Sequence, residues 1–365
     1  MIPPKRQLRR GHGRITLRDV AEAAGVTAIT VSRFLREPAR VAADTALRIQ
    51  KALAETGYLP NKQAGLLASG RSNIVAALVP NLANSIFAES AQGLSDTLQD
   101  AGFELLIAST GYSLEREEEQ LRALLGWHPA AVVVTGRRHS PAAATLLAHA
   151  RRAATPVIEI WDWQVPEERE ERGSTHTERT ERFTQIGFSH DAVGRAMAQH
   201  LLDAGHRRLA YVDSGVAEDY RAHERGLAFA AAARQAGAEV AVLVAPAGDP
   251  FNAGREMLQR LLLGAGDSPA VTAAAFANDH RASGALLEAA RSRVAVPGQM
   301  ALLGFGDFAW SRQLDPPLSS VALPRYEIGV TAARVLLDAL SGKRAAIAQT
   351  LPWTLVARGS TGQKP

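Results

Sequence analysis

Gly25 separates two short amphipathic segments, and the spacing on either side of it constrains the fold more tightly than any other feature of the chain. In TLRDVAEAA, residues 16–24, the apolar residues Leu17, Val20, Ala21 and Ala24 recur at intervals of three and four, the repeat of one helical face. Thr16 is a suitable N-cap, and Asp19 falls in the first turn, where a carboxylate complements the helix dipole. Gly25 then stops the helix, because glycine enters the left-handed conformation at little cost. Val26 follows as a buried plug. Thr27 caps a second helix predicted over 28–35, with Val31 and Leu35 facing inward.

A short helix, a glycine turn and a second short helix form a unit that reads duplex DNA, with the start of the second helix at base edges in the major groove. Those positions hold Thr27, Ala28, Ile29 and Thr30, with Ser32 and Arg33 one turn on. Arg33 carries the paired donors that match a guanine edge, whereas Ala28 and Ile29 have no donors and suit a thymine methyl or the shape of the fit. Thr16, Thr27, Thr30 and Ser32 suit phosphates, which fix register rather than sequence. The plain alternative is a helical hairpin inside a core, but segments this small and this rich in Thr, Ser and Arg bury little apolar area.

Charge agrees with the DNA reading. Residues 1–72 carry 13 Lys/Arg against 5 Asp/Glu, a net of +8, while the whole chain is only +4, so the remainder sums to −4. A basic head on a mildly acidic body places the polyanion at the head. A third helix is predicted over about 44–56, with Leu47, Leu53 and Ala54 inward and Gly57 as its stop. Beyond Pro60, Asn61 caps KQAGLLAS, a segment too short to be a stable helix alone and weakened further by Gly65. Such a marginal helix between head and body suits an element that folds on DNA. Leu66 and Leu67 are its apolar residues, one of them a wedge for a minor-groove base step.

From residue 74 onward, apolar strand segments alternate with helices: IVAALVP, FELLIAS, AAVVVTG, TPVIEIW, RRLAYVD, EVAVLVA, AVTAAAFA and MALLGFG. The alternation predicts an α/β body of parallel sheets covered by helices, and eight strands suit two units better than one. Ligands in such folds sit at the carboxyl ends of the strands, so two lobes would share a cleft. The run 165–182, with six Glu and four Arg and no core pattern, reads as a solvated excursion. No cysteine is present, which removes disulfides and thiol chemistry, and no GxxxxGK[ST], HExxH or GxSxG motif occurs. No metal or cofactor is expected, and neither an enzyme nor a secreted binder accounts for the head. The basic start lacks the apolar stretch of a secretory signal, and no run reaches the ~20 apolar residues of a membrane helix, so the expected location is cytoplasmic.

The stretches ITLRDVAEAAGVTAITVSRFL (15–35), GYLPNKQAGLLAS (57–69), VAALVPNLANSIFAE (75–89), GFSHDAVGRAMAQHLLDAGHRRLAYV (187–212), AFANDHRASGAL (275–286) and LLGFGDF (302–308) resemble the LacI/GalR family of bacterial repressors. The resemblance implies a helix-turn-helix domain over 1–60, a hinge helix and linker over 61–72, and a two-lobed, periplasmic-binding-protein-like body. The first lobe would comprise 73–184 plus 321–340, the second 185–320 plus 341–358. It also implies a homodimer, with a tetramer as the alternative, on palindromic operator DNA, and Leu67 as the levering residue. Ala42 replaces the hydroxyl residue usual before the third helix. Implied effector residues are Arg225, Asn278, Asn84, Ser85, Phe87, Trp161 and Asp162, with Asp307 one residue from the usual acidic position, which Gly306 occupies. Each has a structural alternative: Arg225 paired with Glu224 or Asp219, Asn278 as a helix cap, Trp161 as a core aromatic. TGYSLEREEEQLRALL, VVVTGRRHSP, VIEIWD, IGFSH and LPRYEIG look most like the gluconate-operon repressors, which implies a sugar-acid effector whose carboxylate Arg225 would clamp. A regulator of another sugar, or of the corepressor type, stays open on the sequence. At the head, Arg33→Ala is expected to cost about 1–3 kcal/mol at one base position per half-site. Competition binding against single-base operator variants measures this, and an equal loss on every variant would make Arg33 a phosphate contact instead.

Overall fold

In the computed structural model the described residues are 15–59, 72–83, 86–164, 184–263, 271–343 and 348–362. Asn61, Leu67, Asn84, Ser85 and the charged run 165–182 lie outside them. The chain divides into two units, Met1–Arg71 and Ser72–Pro365.

The head contains α1 (Leu17–Ala24), α2 (Ala28–Arg36) and α3 (Ala43–Thr56). Gly25 takes φ +63°, and its left-handed turn lets the Val26 N–H reach the Ala21 carbonyl at 2.9 Å. The small core holds Val20, Ala21, Ala24, Val31, Phe34, Ile49 and Ala52. Leu35 and Leu53 pack against this core as expected, and Phe34, not singled out by the sequence pattern, is buried in it. One expectation fails here. On α3, Ile49 and Ala52 point inward while Leu47 is 66% exposed and Ala54 is also exposed. Leu47 lies two residues from Ile49, more than half a turn around the helix, so both cannot face one core. Ala42 gives α3 no side-chain cap, as its methyl dictates.

The body holds two parallel sheets. The first runs in the order β11 (Ala348–Thr350), β5 (Thr184–Gly187), β4 (Val157–Ile160), β3 (Ala131–Thr135), β1 (Ile74–Val79), β2 (Glu104–Ser109). The second is β7 (Glu239–Val244), β6 (Arg208–Asp213), β8 (Ala273–Phe276), β9 (Ala301–Leu303). A two-stranded antiparallel ribbon, β10 (Ser320–Ala322) with β12 (Thr354–Val356), completes the strands. The eight apolar segments read from the sequence all form strands, and the core strands are buried on both faces, as parallel strands require. β5 and β11 pair with each other, and β5 pairs with β4, in the first sheet. The stretch 185–187 and the strand at 348–350 therefore belong with the first sheet, not with the second lobe as expected. Both strands are short and carry polar residues, and their partners are remote in sequence, so local periodicity does not announce them.

Helices α4 (Ala88–Asp100), α5 (Leu114–Leu125), α6 (Pro141–Arg152), α7 (His190–Asp203), α8 (Tyr220–Gln235), α9 (Pro250–Leu263), α10 (Asp279–Arg291) and α11 (Arg325–Leu340) cover the sheets. Several close approaches between them involve glycine, and two of these seat helices that line a cavity. A β-carbon at Gly194 on α7 would collide with the Arg225 carbonyl of α8, and one at Gly254 on α9 with the Arg281 carbonyl of α10. Glycine at these two positions seats the helices that carry both arginines.

The first lobe buries a polar cluster. His139, after β3, lies 2.9 Å from Glu117 of α5 through Nδ1 and 3.5 Å from Glu159 of β4 through Nε2, and Glu159 also accepts from Gln185 at 2.7 Å. Burial disfavours the charged ring, but the two carboxylates outweigh it and push the His139 pKa up to about 9. A raised pKa stabilises the fold fully below the unfolded value near 6.5, and that stability fades as pH rises through about 9. Denaturant unfolding of wild type and His139→Gln at several pH values should show a difference of order 3 kcal/mol near pH 6 that shrinks by pH 10. A difference that does not change with pH would mean His139 is neutral throughout.

Candidate functional site

In the head, the expected reading face is the start of α2. Thr27 caps it, its hydroxyl accepting from the Thr30 N–H at 3.2 Å and lying 2.9 Å from the Thr30 hydroxyl. Ile29 is 71% exposed, and Arg33, one turn on, is exposed beside it. An exposed Ile next to an exposed Arg on a capped helix is a surface prepared for a partner. Ala28 packs against the head core, so Ile29 is the apolar residue presented outward. Ser32 is half-buried, with its hydroxyl 3.4 Å from Arg36. Thr16 is exposed, with its N–H and hydroxyl both donating to Asp19 at 2.8 and 2.7 Å.

In the body, the segments following β1, β2, β4, β5, β6, β7, β8 and β9 meet around a cavity of about 380 Å³, at the carboxyl ends of both sheets. That volume lies within the range of small-molecule sites. Its polar walls are dominated by three buried arginines, Arg221, Arg225 and Arg281, 4%, 4% and 7% exposed. Asp219 is the carboxylate that shares the wall with them.

Arg225 of α8 donates to His190 Nδ1 at 3.0 Å and to the Ala277 carbonyl at 2.9 Å, and its guanidinium lies 3.7 Å from the centre of the Phe305 ring. Accepting at Nδ1 leaves His190 to donate from Nε2, which lies 2.9 Å from the Trp161 carbonyl. Burial, reinforced by Arg225, holds His190 well below the usual histidine range, so it is neutral. Among the described residues, no carboxylate lies within ion-pair distance of Arg225, which excludes the expected alternative of pairing with Glu224 or Asp219.

The other expected residues divide. Asn278 does both of its candidate jobs: it lines the cavity, and its side-chain oxygen caps α10 by accepting from the Arg281 N–H at 3.1 Å. Phe87 and Trp161 form the back wall, edge to face at 5.0 Å. Trp161 is 1% exposed, holds φ +73°, and donates its indole N–H to Ser90 at 3.0 Å, so it is also the core aromatic. Asp162 does not line the cavity. It accepts from Arg137 at 2.8 Å and from the Tyr220 hydroxyl, and Arg221 lies 3.9 Å away. Arg137 also reaches Glu224 at 2.8 Å, so this buried cluster joins the first sheet's loops to α8. Asp307 is likewise not a wall residue. Left-handed backbone at Gly306 and Asp307 sends its carboxylate to Arg358 at 2.7 Å and brings Phe308 to the cavity instead.

Sequence reasoning missed Arg221, Arg281, Tyr112, His190, His280 and Phe308 as wall residues. Two signals were present: Arg221 precedes Arg225 by one helical turn, and Arg281 follows Asn278 by three residues. Burial and Arg281 lower His280 to about 4, so it meets a ligand as a neutral ring, flanked by Phe308 and Trp310 at 4.9 Å each. Wholly buried Asp279 fixes that aromatic loop, accepting from Ser311 and Ser320 hydroxyls at 2.6 Å and the Phe308 N–H at 3.0 Å. Among the described residues, no group of His, Cys, Asp or Glu is arranged to hold a metal ion, and no helix is long and apolar enough to cross a membrane.

Comparison with known proteins agrees with both parts. Residues 16–61 match the model of bacterial regulatory proteins of the lacI family, and residues 198–361 match a periplasmic binding protein-like domain. The HTH-type transcriptional regulator GntR of Pseudomonas aeruginosa is 37% identical over 96% of each chain. A LacI family transcriptional regulator from Silicibacter pomeroyi superposes with a TM-score of 0.83 at 33% identity, over 96% of this chain and all of that one. The lac repressor dimer bound to operator shares the fold, with a TM-score of 0.77 at 23% identity over 95% of this chain and 99% of that one.

For the buried cluster, Arg137→Ala is expected to destabilise the body by about 3 kcal/mol, because it strips a cation from buried Asp162. Pairing it with Asp162→Asn should recover a good part of that loss. Chemical denaturation of the two single variants and the double variant measures the coupling, and additive losses would show that the two residues do not interact.

Proposed function

We propose that this chain, a member of the LacI family and so a DNA-binding transcriptional regulator and not an enzyme, is a repressor. In this reading it binds a near-palindromic operator as a homodimer, works in the cytoplasm, and takes a sugar acid such as gluconate as its effector. The observation that carries the effector class is Arg225: buried in the cavity wall, with no carboxylate in ion-pair distance among the described residues. A buried cation without a counter-charge is costly, and a ligand carboxylate supplies one through parallel hydrogen bonds. Asn81, Ser214 and Asn278 offer partners to hydroxyl groups, and Phe87 and Phe308 offer faces to a carbon chain.

At the head, Thr27, Ile29, Thr30 and Arg33 contact one half-site, with Thr16 and Ser32 toward phosphates. Two heads then read the two halves of a palindrome; the lac repressor dimer, which shares the fold, is bound to operator. In this reading Asn61 caps the hinge segment, and Leu67 wedges open the central base step from it.

The effector acts by binding one arrangement of the lobes better than the other, since equal affinity for both shifts nothing. Arg225→Ala should abolish the response of operator binding to the sugar acid while leaving ligand-free operator affinity near that of wild type. Calorimetry adds a reciprocal requirement: operator DNA must change sugar-acid affinity by the factor by which the sugar acid changes operator affinity. A normal ligand response in the Arg225→Ala protein would remove the site, and equal ligand affinity with and without operator would remove the switch.

A further inference from the structure

Arg281, on α10, repeats the predicament of Arg225, on α8, in the wall of the same cavity. It is 7% exposed, donates to the Ser214 carbonyl, and has a buried Nε with no hydrogen-bond partner. Arg225 also leaves its Nε unpartnered. Among the described residues no carboxylate comes within ion-pair distance of Arg281 either. Arg221 differs, because Asp162 stands 3.9 Å from it on the side away from the cavity. The cavity therefore holds two buried guanidinium groups with no carboxylate in ion-pair distance among the described residues.

Their hydrogen-bond partners differ, although both act on the Tyr112 phenol. Arg225 sits with His190, Phe305 and the Ala277 carbonyl. Arg281 sits with the Ser214 carbonyl and beside His280, whose charged form it disfavours. Asp213 and Asp219 favour the charge of Arg281 from a distance, yet burial outweighs them and draws its pKa down. Neutral His190 and His280 add no positive charge, and buried Tyr112, its phenol held above the usual range chiefly by burial, remains a hydroxyl donor.

We propose that Arg281 is a second anion anchor, and that the effector is a sugar acid with two anionic groups, a carboxylate at Arg225 and a second carboxylate or a phosphate ester at Arg281. The inference rests on the sugar-acid reading of the cavity and narrows it. One carboxylate satisfies Arg225 and leaves the Arg281 guanidinium buried with no carboxylate in ion-pair distance among the described residues. A second anion gives it the charge-assisted hydrogen bonds that its free Nε lacks.

The test is calorimetry on the full-length protein at constant pH and ionic strength, with gluconate as the single-carboxylate probe, glucarate as the dicarboxylate and 6-phosphogluconate as the phosphate ester. Wild type should bind glucarate or 6-phosphogluconate at least about tenfold tighter than gluconate, and which of the two wins identifies the second group. Arg281→Gln should abolish that preference and keep gluconate affinity within about threefold, whereas Arg225→Gln should weaken all three. Arg281→Met supplies a readout independent of ligand: removing a buried unpaired cation should leave the ligand-free melting temperature equal to or above wild type. Gluconate bound as tightly as both dianions, or a preference for dianions that survives Arg281→Gln, would overturn the second anchor and leave the sugar-acid reading intact. A melting temperature lowered by Arg281→Met would also overturn it, since it would make Arg281 a structural residue. Binding of none of the three would overturn both.

Discussion

A guanidinium group taken out of water must find an opposite charge, and the body of this protein arranges its cavity around that requirement. Arg137 finds Asp162 and Glu224, and Arg221 has Asp162 within reach. Arg225 and Arg281 are held by carbonyl groups and a neutral imidazole, which orient them and leave their charge uncompensated nearby. The fold makes this arrangement affordable only at the carboxyl ends of the strands, where loops from both sheets converge and backbone carbonyls are available as partners. Glycines at 194 and 254 matter for the same reason, because they let the arginine-bearing helices sit close enough to their neighbours to be held rigidly.

The parts of the fold that were legible in the sequence are those with a local period. Val20, Ala21 and Ala24 announce α1, and Gly25 announces its end, because a helix repeat and a left-handed turn are written in neighbouring residues. Strands such as AVVVT are legible because burial on both faces demands a continuous apolar run. Leu47 and Ile49 show where that logic stops: both are apolar, and only packing within the head decides which one turns inward. β5 and β11 show a second limit, since Gln185 and Ala348 pair in the first sheet although far more than a hundred residues separate them.

The site was legible to the extent that a single residue type carries its chemistry. Arg225 and Asn278 both line the cavity, and the structure gives each a physical job that composition does not reveal. Asp162 and Asp307 are the instructive pair. Each is an acid close to the cavity in sequence, and each is turned to an arginine outside its wall, Arg137 and Arg358. Asp219 already lines the cavity, and either of these two acids beside it would have cancelled more of the positive charge that the wall displays. Their diversion is therefore part of the same electrostatic design that leaves Arg225 and Arg281 with no carboxylate in ion-pair distance among the described residues. That design depends on which way a side chain points, and a backbone at φ +47° at Asp307, or at +73° at Trp161 just before Asp162, sets that direction without any mark in the local period.

Arg221 connects this electrostatic design to the arrangement of the lobes. Its guanidinium faces the cavity and also lies 3.9 Å from Asp162, which is bound to the Tyr220 hydroxyl at the start of α8 and to Arg137 beside the first sheet. Asp162 is wholly buried, and burial raises its pKa while Arg221 and Arg137 oppose the rise, so any change at Arg221 is felt as a change in how well that carboxylate is compensated. On the sugar-acid reading, an anion in the cavity would compete with Asp162 for Arg221. Drawing the guanidinium inward would leave Asp162 more dependent on Arg137 and Tyr220, one partner from each side of the cleft. On that reading a small displacement of one charged side chain would alter the strength of contacts that hold α8 to the first sheet, which is the differential interaction a ligand needs if it is to favour one lobe arrangement over another.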